Sequence, residues 1–92
     1  MLGIKPKTWT VKIRGKGTHA VEVVRKPWLA IGVINVDGKM RAIFPAKALS
    51  IPLFRREQAF DIAEVPCTLK IRPGLFKYDY DLYVDGKLAE SD

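Results

Sequence analysis

The chain has 92 residues, 48% of them hydrophobic, which suits one domain spanning residues 1–92 that buries on the order of 65% of its unfolded surface. Its single cysteine and single histidine exclude an internal disulfide and a Cys/His zinc site within the chain, and no cofactor is expected. The net charge is +6, no apolar run approaches the roughly 20 residues of a membrane span, and no signal peptide opens the sequence, so a soluble cytoplasmic protein without membrane contact is expected.

The first predicted elements form a hairpin of residues 8–14 and 18–25, in which apolar and polar side chains alternate as in half-buried strands. Between them, Gly15-Lys16-Gly17 fits a three-residue loop with Gly17 in the left-handed conformation. The loop predicts three opposed pairs: Ile13 with His19, Val11 with Val21, and Trp9 with Val23. The apolar faces of the two strands then coincide.

A second predicted hairpin joins residues 29–36 and 39–44 through Asp37-Gly38. Asp-Gly is a strong signal for a two-residue turn, because both central residues of a type I′ turn need positive φ. The turn predicts two opposed pairs: Val33 with Ala42, and Ile31 with Phe44.

A third hairpin is predicted from residues 49–54 and 59–63, on either side of a polar loop at residues 55–58. It sets Leu53 against Phe60 and Ile51 against Ile62. Pro52 cannot donate a ladder hydrogen bond, so this strand is expected at a sheet edge or at a bulge.

The last long hairpin is predicted from residues 67–72 and 75–84, with a loop at residues 72–75. It pairs Ile71 with Phe76, Leu69 with Tyr78, and Cys67 with Tyr80. With a short strand at residues 87–90, the chain has eight or nine predicted strands, mostly joined by short hairpins. This pattern predicts an all-β fold, an antiparallel meander that closes into a β-sandwich or flattened barrel.

Four side chains are candidates for chemistry, and each has a stronger structural interpretation. His19 lies beside Ile13 with only Glu22 as an acidic neighbour, which favours a hydrogen-bonded structural histidine; if it is buried, its protonation is expected to lower stability at acidic pH. Asp79 and Asp81 fall on the solvated face of their strand, with Thr68 expected opposite Asp79. Cys67 falls on the apolar face and is expected to pack as an unreactive thiol.

Charge is unevenly distributed along the chain. Residues 1–56 carry twelve Lys/Arg against two acidic residues, and residues 57–92 carry four against eight. Such asymmetry marks either a polyanion partner or attraction of one part of the domain for the other. The candidate polyanion or partner surface consists of Lys12, Arg14, Lys16, Arg25, Lys26, Trp28, Arg55 and Arg56. Tyr83 and Trp28 are the aromatic residues expected outside the core, so few are available for stacking on bases.

The order and spacing of several short motifs resemble the Fas apoptotic inhibitory molecule family. The matching pattern is Trp9-x-Val11, Gly17-x-His19-x-Val21-Glu22, Val36-Asp37-Gly38-Lys39 and Phe76-x-Tyr78-x-Tyr80-x-Leu82-x-Val84-Asp85-Gly86-Lys87. The resemblance covers nearly the whole chain. It departs from the family at "RKPWLAIG", residues 25–32, where the family tends towards a more polar stretch.

The resemblance implies a β-sandwich that acts through protein contacts and has no enzymatic activity. Animal members are associated with restraint of death-receptor signalling, and a role in apoptosis regulation is implied by the resemblance alone. The family looks like two such domains in tandem whereas this chain holds one, so a two-fold homodimer is expected. Two alternatives remain open: a basic module that binds nucleic acid or another polyanion, and a carbohydrate-binding or enzyme accessory domain that uses exposed aromatic side chains.

Overall fold

The computed structural model describes residues 6–26, 29, 31–45, 56–73 and 78–92. These residues form eight strands: β1 Lys7–Ile13, β2 Gly17–Lys26, β3 Ile31–Val36, β4 Lys39–Pro45, β5 Arg56–Ile62, β6 Val65–Pro73, β7 Tyr78–Val84 and β8 Lys87–Ala89. The strands make two antiparallel four-stranded sheets, sheet A in the order β1-β2-β3-β4 and sheet B in the order β5-β6-β7-β8. The predicted all-β sandwich is therefore confirmed.

The core lies between the two sheets, because alternate residues of every long strand point inward. The most deeply buried side chains of sheet A include Trp9 and Ile34, and those of sheet B include Leu69 and Leu82. Burial of each large apolar side chain contributes roughly 1.5–3 kcal/mol relative to its exposure. One shared layer of apolar side chains thus holds the two sheets together.

Phe44 of sheet A needs a glycine beneath its ring. A Cβ placed on Gly32, which is opposite Phe44 in the β3–β4 register, would lie 2.1 Å from the ring atom Cζ. The Phe44 ring also meets Tyr80 of sheet B edge-on, with ring centroids 6.0 Å apart and planes at 64°. Gly32 therefore leaves room for the aromatic contact that joins the sheets at this position.

The chain passes from sheet B to sheet A after β8. Ser91 forms an antiparallel bridge with Trp9 of β1, and the backbone N–H of Asp92 donates to the Thr8 carbonyl at 2.9 Å. The Asp92 carboxylate accepts from the hydroxyls of Thr8 at 3.0 Å and Thr10 at 3.3 Å. These bonds close the β1/β8 side of the sandwich.

Four hairpin turns within the described residues lie at one end of the sandwich, here called the turn end. The up-and-down order of each sheet groups its own turns, and the contact of Lys16 with the Ala63 carbonyl joins the turns of the two sheets. The turns are Arg14–Lys16, Asp37–Gly38, Ala63–Glu64 and Asp85–Gly86. Both Asp-Gly turns have positive φ at both residues, 52° and 80° in the first and 50° and 80° in the second. The predicted Asp37-Gly38 turn is confirmed, and Asp85-Gly86 has the same geometry.

The first hairpin has a different register from the predicted one. Its loop is Arg14–Lys16, closed by the Lys16 N–H donating to the Ile13 carbonyl at 2.9 Å, so Ile13 lies opposite Gly17. Val11 is opposite His19 and Trp9 is opposite Val21, two residues from the predicted pairs. A shift of two keeps every side chain on its predicted face, which is why the alternation alone did not distinguish the registers.

The second hairpin contains a register shift between Ile34 and Asn35. Beyond it Val33 pairs with Ile43 and Gly32 with Phe44, so the predicted pairs of Val33 with Ala42 and Ile31 with Phe44 are wrong. The inward residues of β3 are Gly32, Ile34 and Val36, and Val33 lies on the outer side. In the stretch IGVINV, residues 31–36, apolar residues occupy both odd and even positions. Alternation therefore does not show which side of the strand faces the core.

The fourth predicted hairpin exists with its register shifted by four residues. Ile71 pairs with Tyr80, Leu69 with Leu82, and Cys67 with Val84. Strand β6 continues to Pro73, one residue past the predicted strand end at residue 72. An even shift again preserves the inward set of side chains.

The predicted loop at residues 55–58 is wrong from residue 56 onward, because β5 begins at Arg56 and includes Glu57 and Gln58. Strand β5 pairs with β6 through the turn Ala63–Glu64, which puts Phe60 opposite Cys67 and Ile62 opposite Val65. The predicted strand at 49–54, with Pro52 and its partners for Phe60 and Ile62, lies outside the described residues.

Candidate interaction surfaces

The basic residues selected from the sequence fall into two groups rather than one surface. Lys12 points outward from β1, and Arg14 and Lys16 occupy the β1–β2 turn. Arg25 and Lys26 lie at the other end of β2, which is roughly 30 Å away at about 3.3 Å per residue.

Trp28 and Arg55 lie outside the described residues, and Arg56 is described only as the first residue of β5. The turn end therefore carries the described cations of the first group, and the opposite end of β2 carries Arg25 and Lys26.

Lys16 connects the two sheets. Its Nζ donates to the Ala63 carbonyl at 2.9 Å and lies 3.8 Å from the Glu64 carboxylate in the β5–β6 turn. Both charged groups of this ion pair are well exposed, so the pair adds little to stability. Lys16 thus has a structural role between turns as well as a place among the surface cations.

His19 is held by two acceptors at the turn end. Its Nδ1 lies 2.7 Å from Oδ2 of Asp37, and its Nε2 lies 2.9 Å from the Lys16 carbonyl oxygen. Both partners are acceptors, so both contacts are hydrogen bonds only when the two ring nitrogens are protonated, and the site therefore favours the imidazolium form of His19. The second Asp37 oxygen accepts from the Ala20 N–H at 2.9 Å. The interpretation of His19 as a hydrogen-bonded structural histidine is confirmed, with Asp37 as its acidic partner.

The loss of stability on acidification was expected for a buried His19, but the ring is partly exposed and its pKa shift has the opposite direction. The hydrogen bond to Asp37 raises the pKa of His19 above 6.5, and this effect outweighs the opposing desolvation. Hydrogen bonds from Ala20 and His19 lower the pKa of Asp37 below 3.8. Glu22, the acidic neighbour expected from sequence, instead accepts a hydrogen bond from the Asn35 side chain at 3.2 Å.

Cys67 is buried in the core, as predicted. Its Sγ is 3.4 Å from the Val65 carbonyl oxygen, and burial raises the pKa of the thiol to about 11. A thiol that stays protonated at neutral pH is a poor nucleophile. The structure therefore agrees with an unreactive cysteine.

Asp79 and Asp81 lie on the outer side of β7, as predicted, but their cross-strand neighbours differ from those expected. Arg72 is opposite Asp79, and Thr68 is opposite Tyr83. Asp81 forms an ion pair with the Arg72 guanidinium, with Nε to Oδ2 at 2.8 Å and Nη2 to Oδ1 at 3.3 Å. Within the described ranges, no group of three or more His, Cys, Asp or Glu side chains is arranged to hold a metal ion.

The outer side of sheet A, here called face A, carries a row of apolar residues. Val24, Val33 and Ile43 are directly opposed across β2, β3 and β4. Val33 is buried in this row, Ile43 is 48% exposed, and Met40, opposite Asn35, is 62% exposed. This row was not predicted from the sequence, because the predicted register paired Val33 with Ala42, a residue that packs against the core.

The outer side of sheet B, here called face B, has a smaller apolar patch among carboxylates. Tyr83 is opposite Leu88 of β8 and opposite Thr68 of β6. Leu88 is 60% exposed, and the Lys70 Nζ lies 4.6 Å from the centre of the Tyr83 ring. Tyr83 therefore lies outside the core, as predicted, on the sheet opposite the basic residues of β1 and β2.

No protein-family model and no curated protein sequence matches this chain. The part of the chain that the structure describes contains no helix long and apolar enough to cross a membrane. The functional interpretation consequently rests on the two outer faces and the turn end of the sandwich.

Proposed function

We propose that this chain is a non-enzymatic protein-binding module, a single-domain relative of the Fas apoptotic inhibitory molecule family, that binds its partner through face A. The observation that carries the proposal is the apolar row of face A, with Met40 62% and Ile43 48% exposed on a hydrogen-bonded sheet. A contiguous exposed apolar patch with a polar rim is typical of a protein-interaction site.

The motifs behind the family resemblance have structural roles that fit this proposal. The two Asp-Gly pairs form turns, Trp9 is buried in the core, and His19 is bound between two turns. A scaffold of this kind presents rigid sheet faces to a partner, and binding then costs little ordering of the backbone.

The two side chains best suited to catalysis are committed elsewhere, which supports a binding function. Both His19 nitrogens are engaged by Asp37 and Lys16, and the Cys67 thiol is buried with its pKa raised to about 11. A free cysteine in the core also fits the cytoplasm, where thiols stay reduced.

The experiment compares partner capture by the wild-type domain with capture by Ile43→Lys and Leu88→Lys. Each variant places one lysine on one outer face, so the two are matched in charge and exposure. We expect a partner retained by wild type and Leu88→Lys to be lost by Ile43→Lys, and the same ranking with the purified partner. Equal retention by all three proteins, or loss with Leu88→Lys alone, contradicts binding through face A.

Polyanion binding is the second candidate, and the exposed cations Lys12, Arg14 and Lys39 at the turn end favour it. Of the two aromatic candidates for stacking, Trp28 lies outside the described residues, and Tyr83 lies on the other sheet with Lys70 beside its ring. A fluorescent single-stranded oligonucleotide titrated over a salt series tests this function: steep loss of affinity with salt supports it, and no binding at about 50 mM salt excludes it.

A further inference from the structure

The two outer faces of the sandwich carry opposite charge. On face A, Lys12 and Lys26 occupy outward positions of β1 and β2, and Arg41 lies at the register shift of β4. Glu22 is the one acidic residue within the strands of sheet A, and its carboxylate accepts a hydrogen bond from Asn35. Among the described residues, the cations of face A outnumber its carboxylates, which are those of Glu22 and of Asp92, bonded to the hydroxyls of Thr8 and Thr10 on the outer side of β1.

Face B has an excess of carboxylates around its apolar patch. Glu57 and Asp81 are paired with Lys70 at 3.6 Å and Arg72 at 2.8 Å. Four more acidic residues lie along this face or at its turn end, with no ion pair among the described residues: Asp61, Asp79, Asp85 and Glu90. Face B as a whole thus carries more negative than positive charge, with one cation, Lys70, over the Tyr83 ring of the patch.

The apolar feature of face A is wider than that of face B. On face A the row crosses β2, β3 and β4, and on face B the patch of Tyr83 and Leu88 crosses β7 and β8, with Thr68 of β6 beside Tyr83. Adjacent strands are about 4.8 Å apart, so the row is roughly 10 Å wide and can cover the narrower patch, and sheets packed face to face lie about 10 Å apart. One face can cover the apolar surface of the other while its cations meet the other's carboxylates.

We propose that face A binds face B of a second copy of this chain, so that the domains associate head to tail. This inference rests on the proposed protein-binding function and names its partner. Pairing of face A with face A opposes two surfaces that both have an excess of cations, and such like-charge contact is unfavourable. The contact between unlike faces leaves one face free at each end, so further copies can add. The expected two-fold homodimer is thereby replaced by a heterologous contact.

The test uses sedimentation of the full chain over a concentration series at about 50 mM salt, where surface charges are weakly screened. The mass of the wild type is expected to rise with concentration, and the association constant to fall roughly tenfold or more at about 500 mM salt. Ile43→Lys blocks face A and Leu88→Lys blocks face B, so each variant alone is expected to stay monomeric.

Mixing the two variants distinguishes the head-to-tail contact from a two-fold one. Ile43→Lys retains an intact face B and Leu88→Lys retains an intact face A, so an equimolar mixture is expected to form dimers and nothing larger. Glu64→Lys, in the exposed β5–β6 turn, adds a lysine outside both faces and should associate like the wild type. Circular dichroism of each variant checks that it is folded.

Three outcomes overturn the inference: a wild-type mass that stays monomeric, a mixture that remains monomeric, or association that survives in Leu88→Lys and is lost in Ile43→Lys. The third outcome indicates pairing of two A faces. If a partner is captured through face A while the wild type remains monomeric, the proposed function stands and the self-association falls.

Discussion

His19 is the residue whose protonation couples most directly to the fold. Its ring joins the β1–β2 turn, through the Lys16 carbonyl, to the β3–β4 turn, through the Asp37 carboxylate. Because the folded state raises the pKa of His19 above 6.5, these contacts stabilise the fold fully below that pH and are lost as pH rises through the folded pKa. The lowered pKa of Asp37 makes its contribution present above 3.8 and lost as pH falls through its folded pKa.

We therefore predict that the free energy of unfolding is larger near about pH 5.5 than near about pH 8.5. The imidazole resonances of the single histidine are expected to titrate with a pKa above 6.5, as followed by proton NMR. In Asp37→Asn this pKa should fall, and in His19→Gln the difference in unfolding free energy between the two pH values should shrink. A wild-type pKa at or below 6.5 contradicts this role.

The sequence predicted that His19 is hydrogen-bonded, but it did not predict that Asp37 is its partner. A single histidine on an alternating strand predicts a hydrogen-bonded side chain, and the structure confirms this. The identity of the partner depends on two turns meeting at the same end of a sheet, which brings Asp37 to His19 across 18 positions of sequence. Glu22 was nearer along the chain and points to the outer side instead.

The β5–β6 turn is the two-residue turn among the described residues that has positive φ at both positions without a glycine. Ala63 and Glu64 have φ of 49° and 70°, values that cost a non-glycine residue about 1–2 kcal/mol. We predict that Glu64→Gly stabilises the domain by roughly 0.5–1 kcal/mol in denaturant unfolding, because relief of this strain exceeds the extra entropy of the unfolded glycine chain. Glu64→Gln, which removes the exposed pair with Lys16 and keeps the Cβ, should change stability little.

Gly86→Ala provides the converse comparison. Gly86 has φ of 80°, and a Cβ there meets no heavy atom within 4 Å, so the substitution changes backbone preference alone. We expect it to destabilise the domain by about 1–2 kcal/mol, opposite in sign to Glu64→Gly. Equal changes in the free energy of unfolding for Gly86→Ala and Glu64→Gly would show that backbone strain does not set the stability of these turns.

The same turns explain how far the strands were predictable. Asp37-Gly38 identifies its hairpin, since these residues tolerate the positive φ that the turn needs. Ala63-Glu64 carries no such signal, so the β5–β6 hairpin was missed and Arg56 was assigned to a loop. The registers of the first and last long hairpins were wrong by two and four residues, shifts that leave the core set unchanged.

On the scale of the whole molecule, the two sheets repeat one plan. Each is a four-stranded meander with an Asp-Gly turn between its third and fourth strands. In each, the N–H of that aspartate donates to a backbone carbonyl of the second strand of its sheet: Asp37 to Ala20 of β2 at 2.8 Å, and Asp85 to Pro66 of β6 at 2.9 Å. The recurrence of Val-Asp-Gly-Lys 48 positions apart therefore reflects equivalent turns in two similar sheets.

Among the described residues, the inner side of each sheet is covered by the other sheet. The two sheets therefore share one core and should unfold in a single cooperative transition. Ile34 of sheet A and Ile62 of sheet B are 0% and 1% exposed, which allows the same substitution in each. We predict that Ile34→Val and Ile62→Val each lower stability by about 0.5–1.5 kcal/mol. Hydrogen exchange of the most protected amides should accelerate equally in both sheets, whichever sheet carries the substitution. Ile43→Val on face A is the matched surface control and should have a smaller effect. Acceleration confined to the substituted sheet would mean that each sheet opens independently and that the shared apolar layer does not couple them.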